Sequence, residues 1–561
     1  MTPVLSLLYL YLHLQLGITE DHSPFIEVTQ AAGINFTHIN GASGKYHLPE
    51  TLGAGGAFFD YDNDGNLDLF LVNSGLIDKL SLRQEPTREQ DKSQLYHNNG
   101  DGTFSDATQS AKLNAIYGYN HGAIVADYDN DGDSDLYITS LGSNKLYQNQ
   151  GDGTFTDVTK TAGVGGNAWS SSATFFDYDR DGYLDLFVVN YVYYSLEQTY
   201  SPCIQSGQQD YCNLTYYQGA PDQLYHNNGN GTFVDVTQAA GIRDQGGSFH
   251  GKGLGVVATD TNNDGWMDLY VANDGTPNYL FKNNGDSTFT EMAALAGCAY
   301  SRQGVAQAGM GVDVGDYDRD GFMDIFVTNF SEEANNLYRN NGDGTFSDAI
   351  YEVGLGDVTY LPLGFGTRFF DYDNDGSLDL FVANGHVITH IHLKSDLLTY
   401  GQRNQLFRST SNGRFAEVLP TSESTFLSRT EVSRGVISAD YDNDGDVDIL
   451  VTQLNQPARL YRNQTSEQEE PNHWLRIKVV GRQSNRDGIG TKIRLQSGNL
   501  SLAKEIHSSS SYLSGHDPRP IFGLGGRQTV DHLILHWPSG AISKLENLTV
   551  DRQVEIVEGF D

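Results

Sequence analysis

Gly55-Gly-Ala-Phe-Phe-Asp-Tyr-Asp-Asn-Asp-Gly-Asn-Leu-Asp-Leu-Phe-Leu-Val72 is the stretch on which the fold turns. Its acids fall at Asp60, Asp62, Asp64 and Asp68, its turn glycine at Gly65, and apolar residues of high β-propensity flank them on both sides. The flanks read as two strands and the acidic segment as the loop of a hairpin. The same pattern, D-x-[DN]-x-D-G-x-x-D, starts again at Asp127, Asp177, Asp260, Asp316, Asp371 and Asp440, with spacings of 50 to 83 residues. A minimal unit carrying insertions of variable length is the mark of a repeat architecture.

A second pattern follows each loop, first as Gln94-Leu-Tyr-His-Asn-Asn-Gly-Asp-Gly-Thr-Phe-Ser-Asp-Ala-Thr108. Its Asn-Gly-Asp-Gly core is the chemistry of a tight turn between two more short strands. The pattern recurs from Asn144, Asp222, Asn278, Asn336 and, degraded, Asn404. Each unit thus supplies four antiparallel strands, A to D, and four-stranded units repeated radially make a propeller. The spacing predicts an all-β chain with a seven-bladed β-propeller. The seventh unit stops at Arg459-Leu-Tyr-Arg-Asn463 without a fourth strand, whereas Phe25-Ile-Glu-Val-Thr-Gln-Ala-Ala-Gly-Ile34 reads as an orphan copy of one, matching Phe233 to Ile242. The N-terminal segment is therefore expected to complete the last blade, which removes free sheet edges.

The resulting organisation is a secretory signal over 1–20, a propeller over 25–463, a polar linker over 464–472 and a small β domain over 473–561. The signal rests on the apolar run Val4 to Leu16, too short to span a bilayer. No later run is long enough for a membrane helix. With 72 acidic and 35 basic residues the formal charge is -37, which repels nucleic acid and anionic lipid and favours cationic partners, metal ions above all. Three cysteines exclude a disulfide-dense scaffold and any Cys-rich metal framework. In a secreted chain Cys203 and Cys212 should pair, leaving Cys298 free.

Alternate acids, a glycine at position six and an acid at position nine let one loop wrap oxygens around a hard cation. The candidate ligands are Asp60, Asp62, Asp64 and Asp68; Asp127, Asp129, Asp131 and Asp135; Asp177, Asp179, Asp181 and Asp185; Asp260, Asn262, Asp264 and Asp268; Asp316, Asp318, Asp320 and Asp324; Asp371, Asp373, Asp375 and Asp379; and Asp440, Asp442, Asp444 and Asp448. Position twelve is apolar throughout (Leu71, Ile138, Val188, Val271, Val327, Val382, Val451), so these are not EF-hands. Up to seven Ca²⁺ are expected: an all-protein carboxylate cage suits Ca²⁺ better than Mg²⁺, and loops without His or Cys disfavour Zn²⁺. The metal's role is structural, its binding free energy being partly folding free energy.

These loops resemble the FG-GAP (VCBS) repeat family, which shares its calcium loop with the integrin α-subunit propeller. Arg486-Asp-Gly-Ile-Gly-Thr491, Ser510-Ser-Tyr-Leu-Ser-Gly515, Phe522-Gly-Leu-Gly525 and His536-Trp-Pro-Ser-Gly540 resemble the ASPIC/UnbV domain. The whole chain is similar to the cartilage acidic protein family. The resemblance implies a secreted, calcium-binding propeller with a C-terminal β module and supplies no settled biochemical activity.

Strand alternation places the acidic loops and the Asn-Gly-Asp-Gly turns on one face and the B-to-C and D-to-A connections on the other. The long inserts Asn73 to Ser93, Asn190 to Pro221 and Asn384 to Arg403 all fall on that second face, where binding function usually sits on a rigid scaffold. It also collects His47, His121, His250, Lys252, Arg302, His386, His390, His392 and Arg434, of which His250, Lys252, Arg302, His386 and Arg434 are the candidates for a catalytic role. Neither a G-x-S-x-G elbow nor a P-loop nor an H-E-x-x-H is present. Two classes remain: an extracellular binding or adhesion module engaging a protein, glycan or small ligand, and a propeller enzyme of cyclase or lyase type working in the upper funnel. Finally, the position three residues before each first Asp is charged only at Asp313 and Arg368. In adjacent blades these are expected to pair beside the axis.

Overall fold

The computed structural model describes residues 24–77, 92–116, 118–197, 203–205, 207–242, 251–420 and 426–559. The expected signal, residues 1–20, lies outside them, as does His250. Among the described residues seven sheets share the A-B-C-D order of neighbouring strands. In the first they are Gly56–Phe59, Asp68–Leu71, Gln94–Asn98 and Phe104–Asp106. The A strands of the next six are Tyr119–Ala126, Ser170–Phe176, Gly253–Thr259, Val312–Gly315, Gly364–Phe370 and Ser433–Ala439. Successive A strands adjoin one another, and the last adjoins the first. The protein is a β-propeller.

Closure works as the ends of the sequence suggest. Phe25–Glu27 pairs antiparallel with Arg459–Asn463, in the register Phe25 to Asn463 and Glu27 to Tyr461. Phe25 is driven there by burial, packing edge-on against Phe426 at 5.2 Å.

Strand B is continuously apolar because both its faces are covered, one by each neighbouring blade. Leu69 and Leu71 pack with Ile437, Leu450 and Leu460 of the seventh blade, whereas Phe70 packs with Ala123, Leu136 and Ile138 of the second. A buried asparagine ending strand C adds polar stitches. Asn98 Nδ2 donates to Tyr441 O across the closure, Asn149 to Tyr61 O, Asn227 to Tyr128 O, Asn283 to Tyr178 O, Asn340 to Thr261 O and Asn463 to Tyr372 O, at 2.6–2.8 Å. Ser409 replaces this residue in the degraded sixth blade.

The C-terminal residues form two further sheets, one ordered Ile521–Gly525, His473–Val480, Arg552–Val557 and the other Leu500–Glu505, Lys492–Ser497, Thr529–His536, Ile542–Thr549. The sequence reads as a module standing after a linker. Instead, these sheets lie against the acidic loops, and the segment between Glu505 and Ile521 runs into the propeller axis.

Candidate metal loops and an occupied channel

Each acidic loop is shaped by its own carboxylates. In the first, Asp60 accepts the amides of Asp64 and Gly65 at 3.0 Å, and Gly65 holds φ +90°, a conformation that costs glycine little. Asp68 is fully buried and ties loop to blade, accepting from Tyr61 N at 3.0 Å and Asn98 N at 2.8 Å. Position four is left-handed in every loop (Asn63, Asn130, Arg180, Asn263, Arg319, Asn374, Asn443), a region asparagine tolerates better than most residues. From there its side chain reaches the next loop. Asn63 Nδ2 lies 2.7 Å from Asp133 Oδ1, Asn130 Nδ2 2.9 Å from Gly182 O, and Asn374 Nδ2 2.9 Å from Asp446 Oδ1. Arg180 stacks on Trp266 at 4.0 Å, Arg319 donates to Ser377, and Asn443 Nδ2 donates to Asn66 Oδ1 at 3.3 Å, completing the circle.

The loops fit a hard dication. Asp129, Asp179, Asp316, Asp373, Asp440 and Asp442 each keep a buried Oδ1 with no hydrogen-bond partner. Such orphans are costly unless a ligand satisfies them. Burial first, then the neighbouring carboxylates, pushes Asp127, Asp177 and Asp371 up to about 8 and Asp316 and Asp440 up to about 7. Crowded carboxylates of this kind need a proton or a cation. In the fourth loop Asn262 takes the place of an aspartate, its Nδ2 donating to Asp264 Oδ2 at 2.9 Å and its Oδ1 accepting from Asp264 N at 3.0 Å.

Two sets of groups that the loop motif does not contain approach these acids. From the C-terminal sheets, Arg476 Nη1 lies 3.0 Å from Asp440 Oδ2 and Lys492 Nζ 2.7 Å from Asp260 Oδ2. Asp127 N donates to Asp487 Oδ2 at 2.8 Å. The C-terminal sheets thus bring cations of the same chain onto the acidic face, where the sequence alone places acids on one face and cations on the other. From strand C, His97 Nδ1 sits 3.3 Å from both Asp62 Oδ2 and Asp68 Oδ1, and His226 Nδ1 3.5 Å from Asp179 Oδ2 and 3.1 Å from Asp185 Oδ1. The hydrogen bond to Asp185 raises His226 to about 9. A reading confined to the nine-residue loop missed these imidazoles. The signal was the fourth residue of Gln-Leu-Tyr-His-Asn, present at 94–98 and 223–227.

The axis is filled by residues 507–516, whose polar atoms reach the innermost strand of all seven blades. Ser514–Gly515 pairs in parallel with Gly56–Ala57, and Ala123 N donates to Leu513 O at 3.3 Å. Ser508 Oγ donates to Phe175 O at 2.8 Å, and His507 Nδ1 lies 2.8 Å from Ala258 O. Ser511 exchanges backbone bonds with Val312, Thr367 N donates to Ser511 Oγ at 3.1 Å, and Ser438 N to His516 Nδ1 at 3.2 Å. Serines suit this place because they are narrow and can satisfy strand backbone from side chain or main chain. At the tip Tyr512 is fully buried against Phe365, ring centroids 5.0 Å apart, flanked by Ser511 and Leu513 at φ +63° and +56°.

Beyond the tip, described residues of the inserts contact one another and the segment around Glu50. Tyr211 donates to Glu50 at 3.2 Å, His390 Nδ1 lies 3.3 Å from Asp210 Oδ2, and His47 Nδ1 2.6 Å from Tyr194 Oη. Cys203 and Cys212 are disulfide-bonded within one of these inserts, and Cys298 is a buried thiol. Arg434 is wholly buried and spends its donors on the carbonyls of Thr51, Gly385, Ser433 and His386 while lying 4.0 Å over Phe365. Lys252 Nζ donates to Leu214 O at 2.9 Å, and His386 Nδ1 accepts from Ile388 N at 2.9 Å. Arg302 sits apart, beside Glu352 and over Tyr351. Among the described candidates, then, no set converges on an open funnel.

A ring of four-stranded blades joined through acidic loops, with a β module seated on the loops, defines the class. The FG-GAP-like repeat model matches residues 60–138, 127–188, 205–271, 260–327, 316–382 and 394–451, and the ASPIC and UnbV model matches 481–560. The chain belongs to the FG-GAP-like repeat family and carries a C-terminal ASPIC and UnbV region. It is 31% identical to mouse (Mus musculus) cartilage acidic protein 1 over 194 residues, 33% of this chain and 28% of that protein. It is 27% identical to the Xenopus tropicalis protein of the same name over 307 residues, 52% of this chain and 42% of the relative. The matches thus span less than half the length of these curated relatives. Among solved structures, YCF48 bound to D1 peptide overlaps with a TM-score of 0.41 at 6% identity, over 79% of this chain and 96% of that one, too little to bear on function.

Proposed function

We propose that this chain is a secreted, calcium-stabilised propeller that binds an extracellular partner through the face opposite its acidic loops. The carrying observation is where apolar surface is left exposed. Of the described large hydrophobics that are exposed, all but Val234 and Ile542 belong to B-to-C or D-to-A connections, among them Ile204 at 63% and Leu397 at 73%. The acidic face is meanwhile occupied by the chain's own C-terminal sheets. Exposed apolar residues gathered on one side of a rigid scaffold favour a binding surface. Secretion is supported by the apolar N-terminal run and by the Cys203–Cys212 bridge, a bond that persists in oxidising compartments. Among the described residues no helix is long and apolar enough to cross a membrane. In the loops, Ca²⁺ supplies a dense positive charge to carboxylates already positioned by backbone amides.

The test is retention of the purified full-length protein on cell-deposited extracellular matrix. Leu397→Asp and Tyr216→Asp should each reduce retention at least tenfold, whereas Ile542→Asp, on the C-terminal sheets, should leave it unchanged. The reverse ranking, or equal retention of all three, would remove the upper face from the proposal.

A further inference from the structure

The fourth residue of strand C occupies one register position in all seven blades, and the chain varies it: His97, Gln148, His226, Lys282, Arg339, Arg408 and Arg462. Gln148 Nε2 donates to Asp129 Oδ2 at 2.6 Å and Arg408 Nη2 lies 2.7 Å from Asp373 Oδ2. At this position a lysine or arginine neutralises carboxylates without being able to ligate a metal. A histidine offers a nitrogen lone pair.

We propose that loops one and three bind a first-row transition-metal dication of the Zn²⁺ type through His97 and His226 with the loop carboxylates, while the oxygen-only loops take Ca²⁺. This rests on the metal-binding reading above and divides it between two kinds of site.

Three observations carry the division. In each loop an imidazole nitrogen and the oxygens of two aspartates (Asp62, Asp64 and His97; Asp179, Asp181 and His226) lie within 4.8 Å of one another. Three of the four separations from nitrogen to the closest carboxylates, 3.3 to 3.5 Å, match neighbouring ligands on one ion, since bonds of about 2.0–2.2 Å at tetrahedral angles put donors about 3.3–3.6 Å apart; the fourth, His226 to Asp185 at 3.1 Å, is a hydrogen bond. Second, His97 Nδ1 is buried yet makes no hydrogen bond, despite two carboxylate oxygens at 3.3 Å. In loop one the donors are thus close but misaligned with one another, as ligands around a common centre are, whereas in loop three His226 Nδ1 is hydrogen-bonded to Asp185 and would exchange that contact for the ion. Third, the orientation is built twice. His97 stands edge-on to Tyr61 at 6.1 Å and His226 edge-on to Tyr178 at 5.9 Å, both at 87°, and each tyrosine is the second residue of its loop. Imidazole shifts a carboxylate site from Ca²⁺ toward Zn²⁺ and its neighbours, because the softer nitrogen donor suits those ions.

The test uses the full chain, stripped with chelator, equilibrated with millimolar Ca²⁺ and a few equivalents of Zn²⁺, desalted, and assayed for both metals by mass spectrometry of the elements. His97→Gln and His226→Gln should each lose one Zn²⁺ equivalent and keep the fold, since blade two already carries glutamine at this position. Gln148→His should gain one. Retained Ca²⁺ with Zn²⁺ content indifferent to all three variants would overturn the division and leave the calcium reading standing. Retention of neither metal would overturn both.

Discussion

Arg368 Nη1 lies 2.9 Å from Asp313 Oδ1, joining the innermost strands of blades six and five beside the axis. The pair is embedded in further bonds. Asp313 Oδ2 accepts from Phe369 N at 2.6 Å, and Arg368 also donates to Ser438 at 3.0 Å and to Ser510 of the axial segment at 2.9 Å. One guanidinium thus connects two blades of the ring, a third through Ser438, and the chain that fills it.

Removing one partner leaves a buried charge alone. Arg368→Ala should cost about 3–5 kcal/mol in urea unfolding, because Asp313 is fully buried. The double change Arg368→Met with Asp313→Leu should recover most of that loss, since a buried ion pair has little net value over an apolar pair. A single-variant loss below about 1 kcal/mol would mean that water reaches Asp313.

Tyr512 makes the axial segment part of the propeller core, packing with Leu254, Met310, Leu363 and Phe365. Tyr512→Ala should lower stability by about 3–5 kcal/mol, in the range of large-to-small aromatic changes. Tyr512→Phe, which keeps the ring, should cost less than about 1.5 kcal/mol. If the C-terminal sheets unfolded in a separate transition, unaffected by Tyr512→Ala, the axial segment would not be a shared core.

Acid should weaken the mouth of the ring. Burial, joined at His38 and His386 by the Arg434 charge, holds His38, His121 and His386 at about 3, below the 6.5 of an ordinary imidazole. Between those values the unfolded chain binds more protons than the native one, so stability present above pH 6.5 is lost as pH falls toward 3. The loss is about 1.4 kcal/mol per pH unit for each such group. Both nitrogens of His121 lack a partner and its ring stacks on Trp169 at 5.7 Å. His121→Phe should therefore flatten the acid limb by one group's share when melting midpoints are compared at pH 7 and pH 5 under fixed metal conditions. An unaltered limb would mean that His121 stays neutral when unfolded or gains a partner when folded.

The propeller was legible because each unit repeats its local signals, an acidic turn between flanks of high β-propensity and a second glycine-rich turn, each read over fewer than twenty residues. The pairing of Asp313 with Arg368 was legible for the same reason, since a repeat aligns residues that sequence distance separates. What escaped were contacts between non-repeating and repeating parts. Ser508 to Ser511 look like a polar loop until the strand edges around the axis are in view, and only the fold shows that a narrow hydroxyl run can satisfy them. Arg476 and Lys492 stand far along the chain from Asp440 and Asp260, so no spacing rule could join them. Topology alone groups Arg302 with the upper residues, yet its side chain pairs with Glu352 and lies over Tyr351 rather than joining the other candidates. His97 and His226 lay inside the repeat and were missed because the loop was read apart from the strand that returns beside it.

Metal in the seven acidic loops is proposed to hold the ring together. Thermal unfolding of the full chain, stripped with excess EDTA and then resupplied with Ca²⁺ or with Mg²⁺, tests it directly. Crowded, partly buried carboxylates destabilise the stripped ring, and an ion that binds only the folded state stabilises it by mass action. The midpoint should fall by at least about 10 °C on stripping, several kcal/mol for a chain of this size, and return with Ca²⁺ but not with equal Mg²⁺. A midpoint indifferent to EDTA would contradict the claim and assign neutralisation of the acidic face to Arg476, Lys492 and their neighbours alone.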